Sequence, residues 1–243
     1  MKTVEILKTI KSTNEYLLNF PSEDLPKEGK AVATFDQTEG RGQKGNKWLS
    51  EPGCNICYSL LFHPEKIPAQ NQFLISQAAA LGVKKFFDEF TQNITIKWPN
   101  DIFYKNNKIA GILIENKLTG SMINFSVIGI GININQKAFS AELTDAISLT
   151  QITGKEYDLN ELTEKLHETV WKSLSDMNLE RSGDIQRYYI NSLFRRDGYH
   201  SYTDKDGTFM AKILGVGAQG DLMLELEDNS VRSYTFKKIQ FNL

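Results

Sequence analysis

The stretch from Ile94 to Ile134 limits the folds open to this 243-residue chain more than any other. Apolar and polar residues alternate over 94–98, and Pro99-Asn100 interrupts them. A strand at 102–104 turns at Asn106-Asn107 into 109–116, and Thr119-Gly120 turns that into 122–134. Strands joined by such short turns fold back on their neighbours, so the block predicts a largely antiparallel sheet. Further strands are predicted at 3–10, 30–37 and 55–62. The spacing of Phe73, Leu74, Ala78, Leu81, Phe86 and Phe90 predicts a helix over 69–90. Asp158, with Glu161 three residues on, predicts a capped helix to 178, and another helix is predicted over 184–196. From Tyr199 short strands alternate with tight turns at 204–207, 218–221 and 227–229, the pattern of a small β-barrel behind an α/β core. Asp204-Lys205-Asp206-Gly207 looks like the start of a calcium loop, but the later acidic ligands are missing and it reads as a hairpin turn.

Composition narrows the class. A hydrophobic fraction of 40% with 17 glycines and 24% charged residues is that of an ordinary globular protein, which excludes disorder, collagen and coiled coil. The net charge of −2 supplies no basic field for nucleic acid. The longest uncharged apolar runs, 54–62 and 127–134, fall far short of the ~18–20 residues that span a bilayer. Met1 to Ile6 reads as an amphipathic strand and not as a signal peptide. A soluble, cytoplasmic protein with no membrane and no nucleic-acid partner is expected. Cys54 and Cys57 form a lone C-x-x-C in a β-prone run, where an odd separation sends the side chains to opposite faces, so ordinary buried cysteines are predicted.

Chemistry concentrates in five segments. Gly40-Arg41-Gly42-Gln43-Lys44-Gly45 satisfies G-x-G-x-x-G, which on its own suggests a nicotinamide-dependent oxidoreductase. That fingerprint needs a helix to follow, and Pro52-Gly53 leaves no room for one. Arg41, Lys44 and Lys47 instead fit a basic loop closing over an anion, with Arg41 as a forked donor; a solvated basic loop has the same composition. Lys97-Trp98-Pro99-Asn100-Asp101 ends a strand with an amide and a carboxylate at a turn, and Lys108-Ile109-Ala110-Gly111 opens the next with a cation. Gly129-Ile130-Gly131-Ile132-Asn133 is an apolar strand whose glycines admit a flat ligand to the backbone, with Asn133 and Asn135 on one face. Ser12-Thr13-Asn14 either caps a helix, Ser12 forming a box with Glu15, or lines a polar pocket.

Taken together, in this order and spacing, these segments resemble the biotin protein ligase family over most of the chain. The resemblance implies an α+β fold related to class II aminoacyl-tRNA synthetases: a mixed, largely antiparallel sheet with helices on one face over 1–195, and an SH3-like barrel over 196–243. It implies an ATP-dependent, AMP-forming ligase that uses Mg²⁺, activates biotin as biotinyl-5′-AMP and transfers it to a lysine of a biotin carboxyl carrier protein, working as a monomer or homodimer. By position, Ser12, Thr13, Asn14, Gln37, Arg41, Gly42, Gln43, Lys108 and Gly111 inherit contacts to biotin. Arg41, Lys44, Trp48, Lys97, Asn100, Gly131 and Asn133 inherit contacts to ATP or the adenylate. Lys108, Arg41 and Asp101 are the expected catalytic residues, Asp101 as the group that orients or deprotonates the acceptor amine. Gln43 stands where the family often has a second arginine, which removes a cation from the loop. Some family members carry an N-terminal DNA-binding domain and act as repressors. Ser12 already belongs to the ligase core here, so no helix-turn-helix and no repressor role is expected. Two other readings are a non-catalytic holder of biotin or its adenylate and a lipoate-type ligase, although 97–101 and 40–45 resemble the biotin branch.

Overall fold

The computed structural model describes residues 4–20 and 29–242; Thr3, where the first strand is expected to begin, lies outside them. The larger sheet contains β1 (Glu5–Leu7), β2 (Lys30–Thr34), β3 (Ile56–Phe62), β4 (Ile94–Lys97), β5 (Asp101–Tyr104), β6 (Asn107–Thr119) and β7 (Met122–Ile132). Their order is β1-β2-β3-β7-β6-β5-β4. Only the β1–β2 pair is parallel, as the two-residue turns of the central block require.

Alternation along the strands splits their side chains between two faces. Ile56, Tyr58 and Leu60 of β3, with Ile128, Ile130 and Ile132 of β7, bury against α2 (Phe73–Asp88) and α4 (Leu159–Ser175). Leu61 and Val127 point the other way, onto Leu17 of α1 (Thr13–Leu18). The helices expected over one face are thus α2 and α4, and the short α1 adds a partial cover to the opposite face. Asp158 caps α4 by accepting from the Asn160 and Glu161 amides. A five-residue α3 (Leu149–Thr153) had no sequence expectation, although Ser148 and Gln151 close a full capping box on it.

The second sheet is built from β8 (His200–Asp204), β9 (Gly207–Val216), β10 (Leu222–Leu226), β11 (Val231–Tyr234) and β12 (Gln240–Phe241), in the order β11-β10-β9-β8-β12. All its pairings are antiparallel, as expected of an SH3-like unit, and Asp204–Gly207 closes the hairpin read from sequence. Its apolar side runs into the main core. Phe73 of α2 meets Phe236 at 6.2 Å and Tyr189 of α5 (Ser182–Asn191) at 5.7 Å between ring centroids. The Trp98 indole N–H donates to the Gly220 carbonyl at 2.8 Å.

Three local expectations need correction. Cys54 lies in a turn ahead of β3 and is half-buried, while Cys57 is buried; both are free thiols. The predicted helix over 184–196 stops at Asn191, and Arg195 adopts a left-handed φ of 59° that no helix accommodates. β7 ends at Ile132, so Asn133 and Asn135 follow the strand and do not share one of its faces.

Candidate active site

On the sheet face opposite α2 and α4, at the N-terminal end of α1, a cleft of about 990 Å³ opens. Pairing in register puts Cys57, Gly131, Gly111 and Asp101 in one row across β3, β7, β6 and β5. The two central glycines leave a bare patch, and the Trp48 ring lies on it: a Cβ on Gly131 would stand 2.2 Å from Trp48 Cε2, and one on Gly111 3.2 Å from Cζ3. The flat group that these glycines admit is therefore a side chain of the protein itself. Among the described residues the buried Trp48 indole N–H finds no hydrogen-bond partner. Burial pushes the Cys57 thiol up to about 12, so it is a neutral part of the cleft floor.

The next row is Ser59, Gly129 and Leu113. Asn14 rests on Gly129, where a Cβ would come within 2.1 Å of its Oδ1. Ser59 Oγ lies 2.6 Å from Asn14 Oδ1 and 2.7 Å from Thr13 Oγ1. The Thr13 amide donates to Gln37 Oε1 at 2.9 Å. Ser12 accepts from the Glu15 amide at 3.4 Å, the cap half of the expected box, and also lines the cleft, so it serves the helix and the pocket together. Ser12, Thr13, Asn14 and Ser59 are all buried. A buried set of amides and hydroxyls at the end of an apolar floor suits a small neutral polar ring.

Cations line the remaining wall. Lys108 Nζ is 2.7 Å from Asp101 Oδ1 and 5.8 Å from the Trp48 ring centroid. Its stem crosses Gly111, where a Cβ would meet Lys108 Cε at 3.2 Å. Lys97 sits 4.5 Å from the Phe103 centroid and 5.8 Å from that of Phe241. Burial lowers the Lys97 pKa, against the opposing pull of Asp101 and Asp145. Residues 40–48 form a compact loop: Gly42 N donates to Asn46 O at 2.8 Å, and Trp48 N to Gly40 O at 3.0 Å. Only a three-residue 3₁₀ turn, Gln43–Gly45, interrupts it. No α-helix follows Gly45, which with the antiparallel sheet removes the dinucleotide-fold reading.

Of the residues proposed from sequence, Ser12, Thr13, Asn14, Gln37, Arg41, Gly42, Gln43, Trp48, Lys97, Asn100, Asp101, Lys108, Gly111 and Gly131 converge on this cleft. Asn133 does not line it: the side chain is buried behind β7 and donates to the Ile147 carbonyl at 3.2 Å. The Lys44 side chain lies outside the described residues. Sequence reasoning missed Ser59, which backs Thr13 and Asn14, the rim carboxylates Glu142 and Asp145, Phe236 of the β11–β12 connection and Phe241 of β12. Ser59 carried one usable signal, a small hydroxyl side chain in a strand otherwise built of cysteine, Tyr58 and aliphatic or aromatic residues.

A polar ring pocket beside a cationic ledge suits an enzyme that joins a small acid to a second group. The model of the biotin/lipoate A/B protein ligase family matches residues 6–133, and the chain belongs to that family as a ligase of its biotin protein ligase branch. It is 30% identical over 230 residues to the bifunctional ligase/repressor BirA of Bacillus spizizenii, covering 93% of this chain and 70% of that one. It is 28% identical over 172 residues to the biotin–[acetyl-CoA-carboxylase] ligase of Mycobacterium tuberculosis, covering 68% of this chain and 61% of that one. The structure of the biotin protein ligase from Aquifex aeolicus in complex with biotin and ATP superposes with a TM-score of 0.81 at 25% identity, over 100% of this chain and 99% of that one.

Proposed function

We propose that the cleft condenses biotin with ATP to biotinyl-5′-AMP and then passes the biotinyl group to a lysine of a biotin carboxyl carrier protein. The observation that carries this reading is the meeting, in one cleft, of the buried Ser12, Thr13 and Asn14, backed by Ser59, and the half-buried Gln37 with Lys108 and Arg41. The cluster offers donors and acceptors to a ureido ring, and the cations receive the carboxylate at the far end of the acid. A carboxylate and an α-phosphate must approach each other in the first step, and two unit charges 4 Å apart repel by about 4 kcal/mol at an effective dielectric of 20. Lys108 offsets that repulsion, with Arg41 and Lys97 beside it. The carboxylate oxygen attacks the α-phosphorus, pyrophosphate leaves, and a mixed anhydride remains. Trp48 and Asn100 flank the nucleotide. An amine then attacks the acyl carbon and AMP departs; the amine starts near pKa 10.4 and must first lose a proton. Asp101, ion-paired with Lys108, orients that lysine and is our candidate for taking the proton.

Mg²⁺ enters in this reading with the triphosphate. Among the described residues no group of three His, Cys, Asp or Glu side chains is placed to hold a metal. A cation that keeps most of its water and needs one or two carboxylates besides phosphate oxygens fits Glu142 and Asp145 on the rim. We take 1–195 as the catalytic unit and 196–243 as a second domain. We read the chain as a cytoplasmic ligase and not a repressor: its net charge of −2 offers DNA no basic field, and among the described residues no helix is long and apolar enough to cross a membrane.

The test is biotin-dependent exchange of labelled pyrophosphate into ATP with Mg²⁺, with lipoate as control. Exchange with biotin alone is expected, and Lys108→Ala abolishes it while calorimetry still detects biotin binding. Exchange with lipoate alone, or full exchange by Lys108→Ala, would overturn the assignment.

A further inference from the structure

Glu115 lies on β6, on the same face as Gly111 and Leu113, and none of the roles above includes it. Its Oε1 pairs with Arg41 Nη2 of the glycine loop, and its Oε2 accepts from Asn14 Nδ2 at 2.9 Å. The carboxylate thus joins the loop cation to the ring pocket from a strand 74 residues beyond Arg41 and 101 beyond Asn14. Proton counting extends the link. Thr13, Ser59 and Asn14 make two short contacts in series, and each hydroxyl has one proton to give. Asn14 must point its amide N–H₂ at the acceptor-only carboxylate of Glu115, so its Oδ1 faces Ser59. Ser59 then donates to Asn14, and Thr13 donates to Ser59. Thr13 Oγ1 also lies 3.2 Å from Gln37 Oε1, but the Thr13 backbone N–H already supplies that oxygen with a proton at 2.9 Å, so the hydroxyl proton goes to the shorter 2.7 Å contact with Ser59. The Glu115 carboxylate, together with the Leu113 carbonyl that accepts from the same amide at 3.3 Å, therefore sets the direction of the Asn14–Ser59–Thr13 series.

We propose that Glu115 is a positioning residue that couples the ring pocket to the glycine loop: it fixes the Asn14 amide and holds Arg41 at the cleft before any anion arrives. The remaining N–H edge of the Arg41 guanidinium stays available to a ligand carboxylate or phosphate. The coupling to ligand rests on the biotin reading above; the hold on Arg41 does not.

The experiment uses Glu115→Gln, Arg41→Ala and the double variant in the full chain, with thermal unfolding as a check on folding. Trypsin can cleave after Arg41 only when its guanidinium leaves Glu115. Glu115→Gln is expected to speed that cut several-fold in the ligand-free protein, followed by mass spectrometry, and an unchanged rate overturns the hold. Calorimetry with biotin is expected to show about a tenfold loss of affinity in Glu115→Gln, the usual size for a lost charge-assisted hydrogen bond. The loss should be much smaller when Arg41 is already alanine, and strictly additive losses overturn the coupling. Faster cleavage in a protein that binds no biotin would sink the ligand reading and leave the hold on Arg41 standing.

Discussion

The His167 ring is buried beside Trp171, with its Nδ1 2.8 Å from the Tyr58 hydroxyl. Burial lowers its pKa, against the weaker opposing pull of Glu164 and Glu168. The unfolded chain, with an ordinary value near 6.5, therefore takes up the proton first as pH falls. Stability is full above that value and declines below it. Protonation would also force Nδ1 to donate and leave the Tyr58 hydroxyl proton without an acceptor inside the core. Urea midpoints measured at pH 7.5 and 5.5 should fall further for the wild type than for His167→Gln, which keeps an acceptor and cannot titrate. Equal falls would show that acid acts elsewhere. Single residues also mark where sequence reading ends. Ser12, Thr13 and Asn14 stand together in the chain and were legible as a group. Ser59 and Glu115 meet them only after β3 and β6 are laid beside α1, and each alone looks like a polar residue in a strand.

At the scale of elements, β6 and β7 were legible because their turns and alternation are local. Their glycines were legible as bare backbone, but what covers them depends on the path of the 40–48 loop, which has no periodicity to read. Asn133, given a nucleotide contact by the resemblance and expected within a strand running to 134, instead follows the end of β7 at Ile132 and donates to the Ile147 carbonyl. The five-residue α3 is too short for a periodic signal. The glycine pair carries a prediction. Gly131 has no positive φ to protect, so Gly131→Ala acts through the single contact with Trp48. The variant should fold with a loss of about 1–3 kcal/mol from overpacking and bind ATP at least tenfold more weakly as the indole is pushed off the sheet. Adding Trp48→Ala should relieve the clash and recover most of the stability. Failure of that rescue would mean that the ring is not held on Gly131.

Among the described residues the two sheets share one large core, with a smaller cluster under α1, a feature hidden from sequence because the turns after Tyr199 look self-contained. Phe236 packs with Phe73 and Trp98 in the core and also reaches the cleft. Phe236→Leu keeps most of the packing volume, so it should unfold in a single transition close to the wild type while KM for ATP rises several-fold. A normal KM with a second unfolding transition would show instead that the residue only fastens the sheets. The cleft has one wall from each sheet, Gly111 and Gly131 on one side and Phe241 on the other. Any molecule that fills it works as a removable rivet. Whatever free energy it gains by binding is added to the work of prying the sheets apart, and is returned when it leaves. The protein is then mechanically loosest at the end of each turnover, when both substrates have gone and a fresh pair has yet to dock.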